Sequence, residues 1–156
     1  MIDIKDKLIK LSKEVTDYLG IDLIPIEYEN LEIDDSRLIL KPIPKIVINI
    51  KYKNNFIESA KCITHEMRHI FQIYWDSLMN DKFARIWKEE LAQAKSSANI
   101  DVNSNEYNDY SLQVIELDVF AFSQFYLRRY NIYFKYEDKK FQRLVEEYIK
   151  KYLYEN

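Results

Sequence analysis

Apolar positions at the start of the chain recur with the period of a helix. Ile4, Leu8, Leu11, Val15 and Tyr18 fall on one stripe, Asp3 stands where a cap belongs, and Gly20 suits a left-handed stop, so the spacing predicts a helix from about Asp3 to Leu19. The period then changes. Asp22–Glu29, Arg37–Leu40 and Lys45–Tyr52 read as extended, and the last is the strongest because Ile46, Val47, Ile48 and Ile50 crowd β-branched side chains into it. Asp34-Asp35-Ser36 predicts a turn, and Pro42 and Pro44 break the chain before the third stretch. Helical periodicity resumes at Asn55, with helices expected near 55–79, 81–98, 106–130 and 138–153 and a polar loop at Asn99–Asn105. A helix, a small three-stranded sheet and then several helices make an α+β fold. No internal repeat is visible, and residues 1–156 are expected to form one domain.

The helix expected at 55–79 carries a second pattern. Phe56, Ala60, Ile63, Met67, Ile70 and Tyr74 form an apolar stripe suited to packing on the sheet, and His65 and His69 lie almost opposite it. These are not core histidines; they face solvent, or a cleft closed by another element. They stand in Thr64-His65-Glu66-Met67-Arg68-His69, which contains His-Glu-x-x-His. Side chains four apart on a helix share a face at roughly 6 Å, so two imidazoles can bind one zinc ion through bonds of about 2.0–2.1 Å. Glu66 points to the neighbouring side, within reach of a water on that ion. The chain has only two histidines and both are here. Two histidines placed at random would fall four apart in roughly one chain in 80, before the glutamate is counted.

A zinc site needs a third protein ligand, here a carboxylate or Cys62. The stretch Ile115-Glu116-Leu117-Asp118-Val119-Phe120-Ala121-Phe122 is a helix apolar nearly all round. A carboxylate buried there costs several kcal/mol unless a metal, a lysine or an arginine partners it. Residues two apart differ by about 200° around a helix, so Glu116 and Asp118 cannot both face one ion. Cys62 lies one turn before His65 on roughly the same face, although a buried cysteine more often serves as a small apolar filler.

Charge and composition narrow the function. A net charge of −3 and a pI near 5.5 argue against nucleic acid as the main partner. The basic pairs Arg128-Arg129, Lys139-Lys140 and Lys150-Lys151 alternate with acids, as on a solvated helix face. Apolar residues at 47% and charged residues at 31% fit a soluble globular chain. No run approaches the ~20 apolar residues of a membrane span. Asp3 and Asp6 sit where the apolar part of a signal peptide would begin, so no membrane partner and a cytoplasmic setting are expected. A single cysteine excludes an intrachain disulfide.

His65-Glu66-x-x-His69 followed by a helix bearing Glu116-x-Asp118-Val119-x-x-Phe122 resembles the gluzincin-type metallopeptidases, most of all the short ImmA/IrrE-like group. It is also similar to membrane-embedded peptidases whose glutamate helix reads Glu-x-Glu/Gln-Ala-Asp. The resemblance implies a zincin-like fold, with zinc held by His65, His69 and Glu116 and with Glu66 as general base. Asp118 falls where those families place a second Glu or Gln, and Phe122 where ImmA/IrrE-like members place Phe. Four residues after the glutamate ligand, where they carry an Asp or Asn that steadies a ligating histidine, this chain has Phe120. That support is expected from Asp118 or a tyrosine instead. The segment between His69 and Glu116 is also long for the group, and the likeness runs from the third extended stretch to Leu127.

The activity so implied is hydrolysis of a peptide or protein substrate by a zinc-activated water, with the substrate extended against a sheet edge. Tyr107, Tyr110 and Tyr126 are candidates to stabilise the oxyanion. Two other readings compete. One is a zinc-stabilised binding or regulatory module that hydrolyses nothing, for which a fourth protein ligand such as Cys62 would speak. The other is a metal-free interaction protein with an aromatic docking surface.

Overall fold

The computed structural model describes residues 3–78 and 114–153. The helix expected at 81–98, the loop Asn99–Asn105, the first part of the helix expected at 106–130, and Tyr107 and Tyr110 lie outside the described residues. So does the side chain of Tyr74.

The strongest strand of the sequence is the centre of the sheet. β1 (Ile26–Glu29), β2 (Ser36–Ile39) and β3 (Lys45–Asn49) lie in the order β1-β3-β2. β1 runs parallel to β3, with Ile26 opposite Ile46, and β2 runs antiparallel to it, with Ser36 opposite Ile48. Ile46, Val47 and Ile48 are fully buried, as the β-branched run implies for a strand covered on both faces.

Three boundaries differ from those expected. The stretch expected to be extended from Asp22 is a strand only from Ile26. The third stretch stops at Asn49, whose side chain accepts from the Lys51 amide and turns Ile50–Tyr52 into a short 3₁₀ helix. The turn expected at Asp34-Asp35-Ser36 falls earlier. Glu32 takes a left-handed φ of 58° while its amide bonds the Asn30 side chain, and the buried Asn49 amide donates to the carbonyls of Glu32 and Asp34. Ser36 thereby becomes the first residue of β2.

α1 (Ile4–Leu19) buries Leu8, Leu11 and Val15 and stops at Gly20, whose φ of 70° is the left-handed cap the sequence called for. Asp3 occupies the cap position without a side-chain hydrogen bond. Tyr18 departs from the expected stripe: it is partly exposed, under the Arg129 guanidinium, and Leu19 is buried instead.

α2 (Phe56–Leu78) is 23 residues long, about 35 Å at a helical rise. Its stripe of Ala60, Ile63, Met67 and Ile70 is buried in the main core with Ile46 and Ile48 of β3 and Leu11 and Val15 of α1. α3 (Val114–Leu127) has two covered faces. Phe122, Tyr126 and Leu127 join the main core. Ala121, flanked by Leu117, Phe120 and Phe125, joins a second core with Val145 and Tyr148 of α4 (Lys139–Tyr148) and with Ile149 beyond it. The helix expected at 106–130 ends at Leu127 in a 3₁₀ turn closed by left-handed Asn131, and that at 138–153 loosens into a π-helical turn at Ile149–Leu153.

α4 is docked by polar contacts as well. Asp138 caps it through the Phe141 amide, and the buried side chains of Gln124 and Gln142 exchange amide hydrogen bonds at 3.0 Å. The architecture is α+β, with four α-helices and one three-stranded sheet among the described residues. None of these helices is long and apolar enough to cross a membrane. Lys139, Lys140, Lys150, Lys151 and Arg129 are exposed, as expected of a solvated face, whereas Arg128 is half-buried and donates to Gln124 Oε1 at 3.2 Å.

Candidate metal centre

α2 and α3 place the candidate residues. The buried hydroxyls of Thr64 and Ser123 meet between the two helices at 2.6 Å, away from His65, His69 and Glu116. The face of α2 opposite its apolar stripe meets the first turn of α3. The histidines thus face a cleft closed by another element.

Glu116 Oε1 lies 3.2 Å from His69 Nε2, and its Oε2 lies 3.8 Å from His65 Nε2. The rings of His65 and His69 meet edge to face with centroids 5.0 Å apart. One ligand atom from each of the three residues falls within 4.8 Å of the other two, so the group can hold a metal ion. Glu116 is buried and the two histidines are half-buried. Among the described residues no other His, Cys, Asp or Glu joins this group.

Gln72 Nε2 donates to Asp118 Oδ2 at 2.8 Å, which leaves Gln72 Oε1 facing His69 Nδ1 at 3.0 Å. An amide oxygen only accepts, so Nδ1 carries the proton and neutral His69 has its lone pair on Nε2. That lone pair points at a carboxylate oxygen. Two acceptors at 3.2 Å need a cation between them, either a proton or a metal. In the metal-free chain it is a proton: burial opposes the charge on His69, but Glu116 outweighs it and raises the imidazole to about 9. Burial and the charge of His69 hold His65 below its ordinary value, against the pull of Glu66 and Glu116.

Asp118 turns away from the histidines, as the 200° offset from Glu116 requires. Arg68 grips it twice, Nε to Oδ2 at 2.8 Å and Nη2 to Oδ1 at 2.9 Å, and the Tyr148 hydroxyl donates to Oδ1 at 2.6 Å. Burial works against the Asp118 charge, but Arg68, Tyr148 and Gln72 together hold its carboxyl below the usual aspartate range. Arg68 thus partners Asp118, the acid two residues after Glu116. Support for His69 does involve Asp118, through Gln72. A glutamine three residues after a ligand on one helix face was the available signal; Arg68 and Tyr148 carried none.

Glu66 is buried at the sheet side of α2, and its Oε1 accepts from Ser36 Oγ at 3.0 Å, at the start of β2. No family model, no curated protein and no solved structure matches this chain.

Two expected alternatives fail. Cys62 is outside the trio: its thiol faces the Asp35 carbonyl, and burial, with smaller effects from its neighbours, pushes it up to about 12. Tyr126 is a core residue, stacked on Phe122 and edge-on to Tyr18, about 15 Å along α3 from Glu116. Phe120 lays its ring against His65 with centroids 4.9 Å apart, an apolar contact and not a hydrogen bond.

Proposed function

We propose that this chain is a zinc-dependent metallopeptidase with a zincin-like fold, in which His65, His69 and Glu116 hold the ion and Glu66 is the general base. The observation that carries this reading is the convergence of two imidazoles and a buried carboxylate from separate helices, with an acid directly after the first ligand. Tetrahedral ligands at zinc distances stand about 3.4 Å apart. The separations of 3.2 and 3.8 Å about Glu116 fit that spacing with small side-chain adjustments. Three protein ligands also leave one position for solvent or substrate, the pattern of catalytic zinc sites.

A zinc ion held there supplies Lewis acidity that polarises a scissile carbonyl and makes water nucleophilic near neutral pH. Glu66 takes the proton of the attacking water and passes it to the leaving amine. The Ser36 hydroxyl donates to Oε1 of Glu66 and orients the carboxylate that would move the proton. β2 is an edge strand of the described sheet and begins at Ser36. An extended peptide added to β2 would thus lie beside the base, which supports a peptide or protein as substrate.

Glu66→Gln keeps the size of the side chain and its contact to Ser36 while removing the base. The expected outcome is full zinc content and a fall of about 10²–10⁴-fold in hydrolysis of unfolded protein or peptide mixtures. Activity equal to wild type would reject the mechanism. The Phe120 contact with His65 favours a second reading, a zinc-holding regulatory module without hydrolysis. In that case wild type and Glu66→Gln bind zinc equally and neither cleaves.

A further inference from the structure

We propose that Gln72, clamped by Asp118, is a positioning residue that fixes the orientation and tautomer of His69 for metal binding, and that Asp118 links this function to the docking of α4. The proposal rests on the metal reading of the His65–His69–Glu116 site.

The geometry allows Gln72 one orientation. Asp118 receives four donors: Arg68 Nε and Gln72 Nε2 on Oδ2, and Arg68 Nη2 and the Tyr148 hydroxyl on Oδ1. Four donors fill the lone-pair sites of a carboxylate, so Asp118 is fixed in place. If the Gln72 amide flipped, its oxygen would face that carboxylate and its NH₂ would face the donor nitrogen of His69. Both contacts would become repulsive. Held as it is, Gln72 Oε1 keeps the proton on Nδ1, and Nε2 presents its lone pair towards Glu116.

The clamp joins three helices. Arg68 and Gln72 come from α2, Asp118 from α3 and Tyr148 from the end of α4. Arg68 is immobilised further by the rings of Phe71 and Phe122, 4.4 and 4.8 Å from its guanidinium carbon. A change at Tyr148 therefore reaches His69 through three hydrogen bonds, by way of Asp118 and Gln72. Conversely, an ion that holds His69 tightens the seat of α4, because coupling between two sites is reciprocal.

The test measures zinc affinity of the full-length chain by competition with a chromophoric chelator, together with the ¹⁵N-correlated signal of the His69 Nδ1 proton in the zinc-loaded protein. Removing an outer partner of a ligating histidine typically weakens metal binding 10–100-fold. Gln72→Leu is expected to fall in about that range and to lose the protected Nδ1 signal. Tyr148→Phe, which keeps the ring and removes one donor to Asp118, is expected to weaken zinc binding by a few-fold, and serves if Gln72→Leu does not fold. Ser123→Ala removes the Thr64 hydrogen bond between the same helices without touching the clamp, and should leave affinity unchanged.

Wild-type affinity with an intact Nδ1 signal in Gln72→Leu, or an equal loss in Ser123→Ala, would overturn the positioning role while the metal site stood. Should Gln72→Leu not fold, wild-type affinity in Tyr148→Phe would overturn it instead. Wild-type protein that binds no zinc would overturn the metal reading and the positioning role together.

Discussion

His69 holds its two ring nitrogens in opposite roles, Nδ1 donating to Gln72 and Nε2 facing Glu116. In the metal-free chain its imidazole is raised from 6.5 to about 9, so its proton stabilises the fold. A raised folded-state value gives stability that is complete below about 6.5 and is lost as pH rises through about 9. Urea unfolding of metal-free protein should therefore show declining stability across that window. A metal must displace the same proton, so zinc affinity should rise about tenfold per pH unit over this range. Asp118 behaves oppositely: its lowered carboxyl contributes stability above the ordinary aspartate range that is lost only in stronger acid. Arg68→Met leaves Asp118 buried without its cation, and should cost about 3–5 kcal/mol by denaturant unfolding. Cys62 lies near the site but is buried, with a thiol pushed up to about 12. It should resist alkylation at pH 8 until the protein unfolds.

At the level of elements, β2 is the piece that most needs holding. It is four residues long, and Ser36 at its start hydrogen-bonds Glu66. Its approach is fixed by Asn49, whose buried amide donates to the carbonyls of Glu32 and Asp34. Asn49→Ala leaves both acceptors unsatisfied and should cost about 1–3 kcal/mol in unfolding. Amide exchange at Arg37 and Leu38 should also be faster in that variant. Periodicity made α1, α2 and β3 legible, because each has a long apolar pattern that a single burial geometry satisfies. The turn before β2 lies two residues ahead of Asp34-Asp35-Ser36. Asp-Asp-Ser is good turn chemistry, but Asn30 and a distant Asn49 supply the hydrogen bonds that decide the place. The 3₁₀ turn at Ile50–Tyr52 was hidden likewise, because Ile50 extends the β-branched run that Asn49 ends. α3, apolar nearly all round, is covered on two faces, by the main core and by the second core against α4.

For the molecule as a whole, the decisive event is that α2 and α3 meet with His65, His69 and Glu116 in one place. The histidine pair was legible because four-residue spacing on one helix is a local rule. The choice of Glu116 over Asp118 was not, since 200° of helix separates them and only the packing of α3 on α2 selects one. The resemblance noted in the sequence names Glu116, and Glu116 is the acid that lies beside the two histidines. Arg68 and Tyr148 were invisible in sequence, being brought to Asp118 from 50 and 30 residues away. Whether the trio holds an ion is measured most directly by the metal content of protein purified without chelator or histidine tag, beside Glu116→Ala prepared identically. One zinc per chain in wild type, lost from Glu116→Ala, is the predicted result. Metal-free wild type, or equal zinc in both proteins, would contradict it.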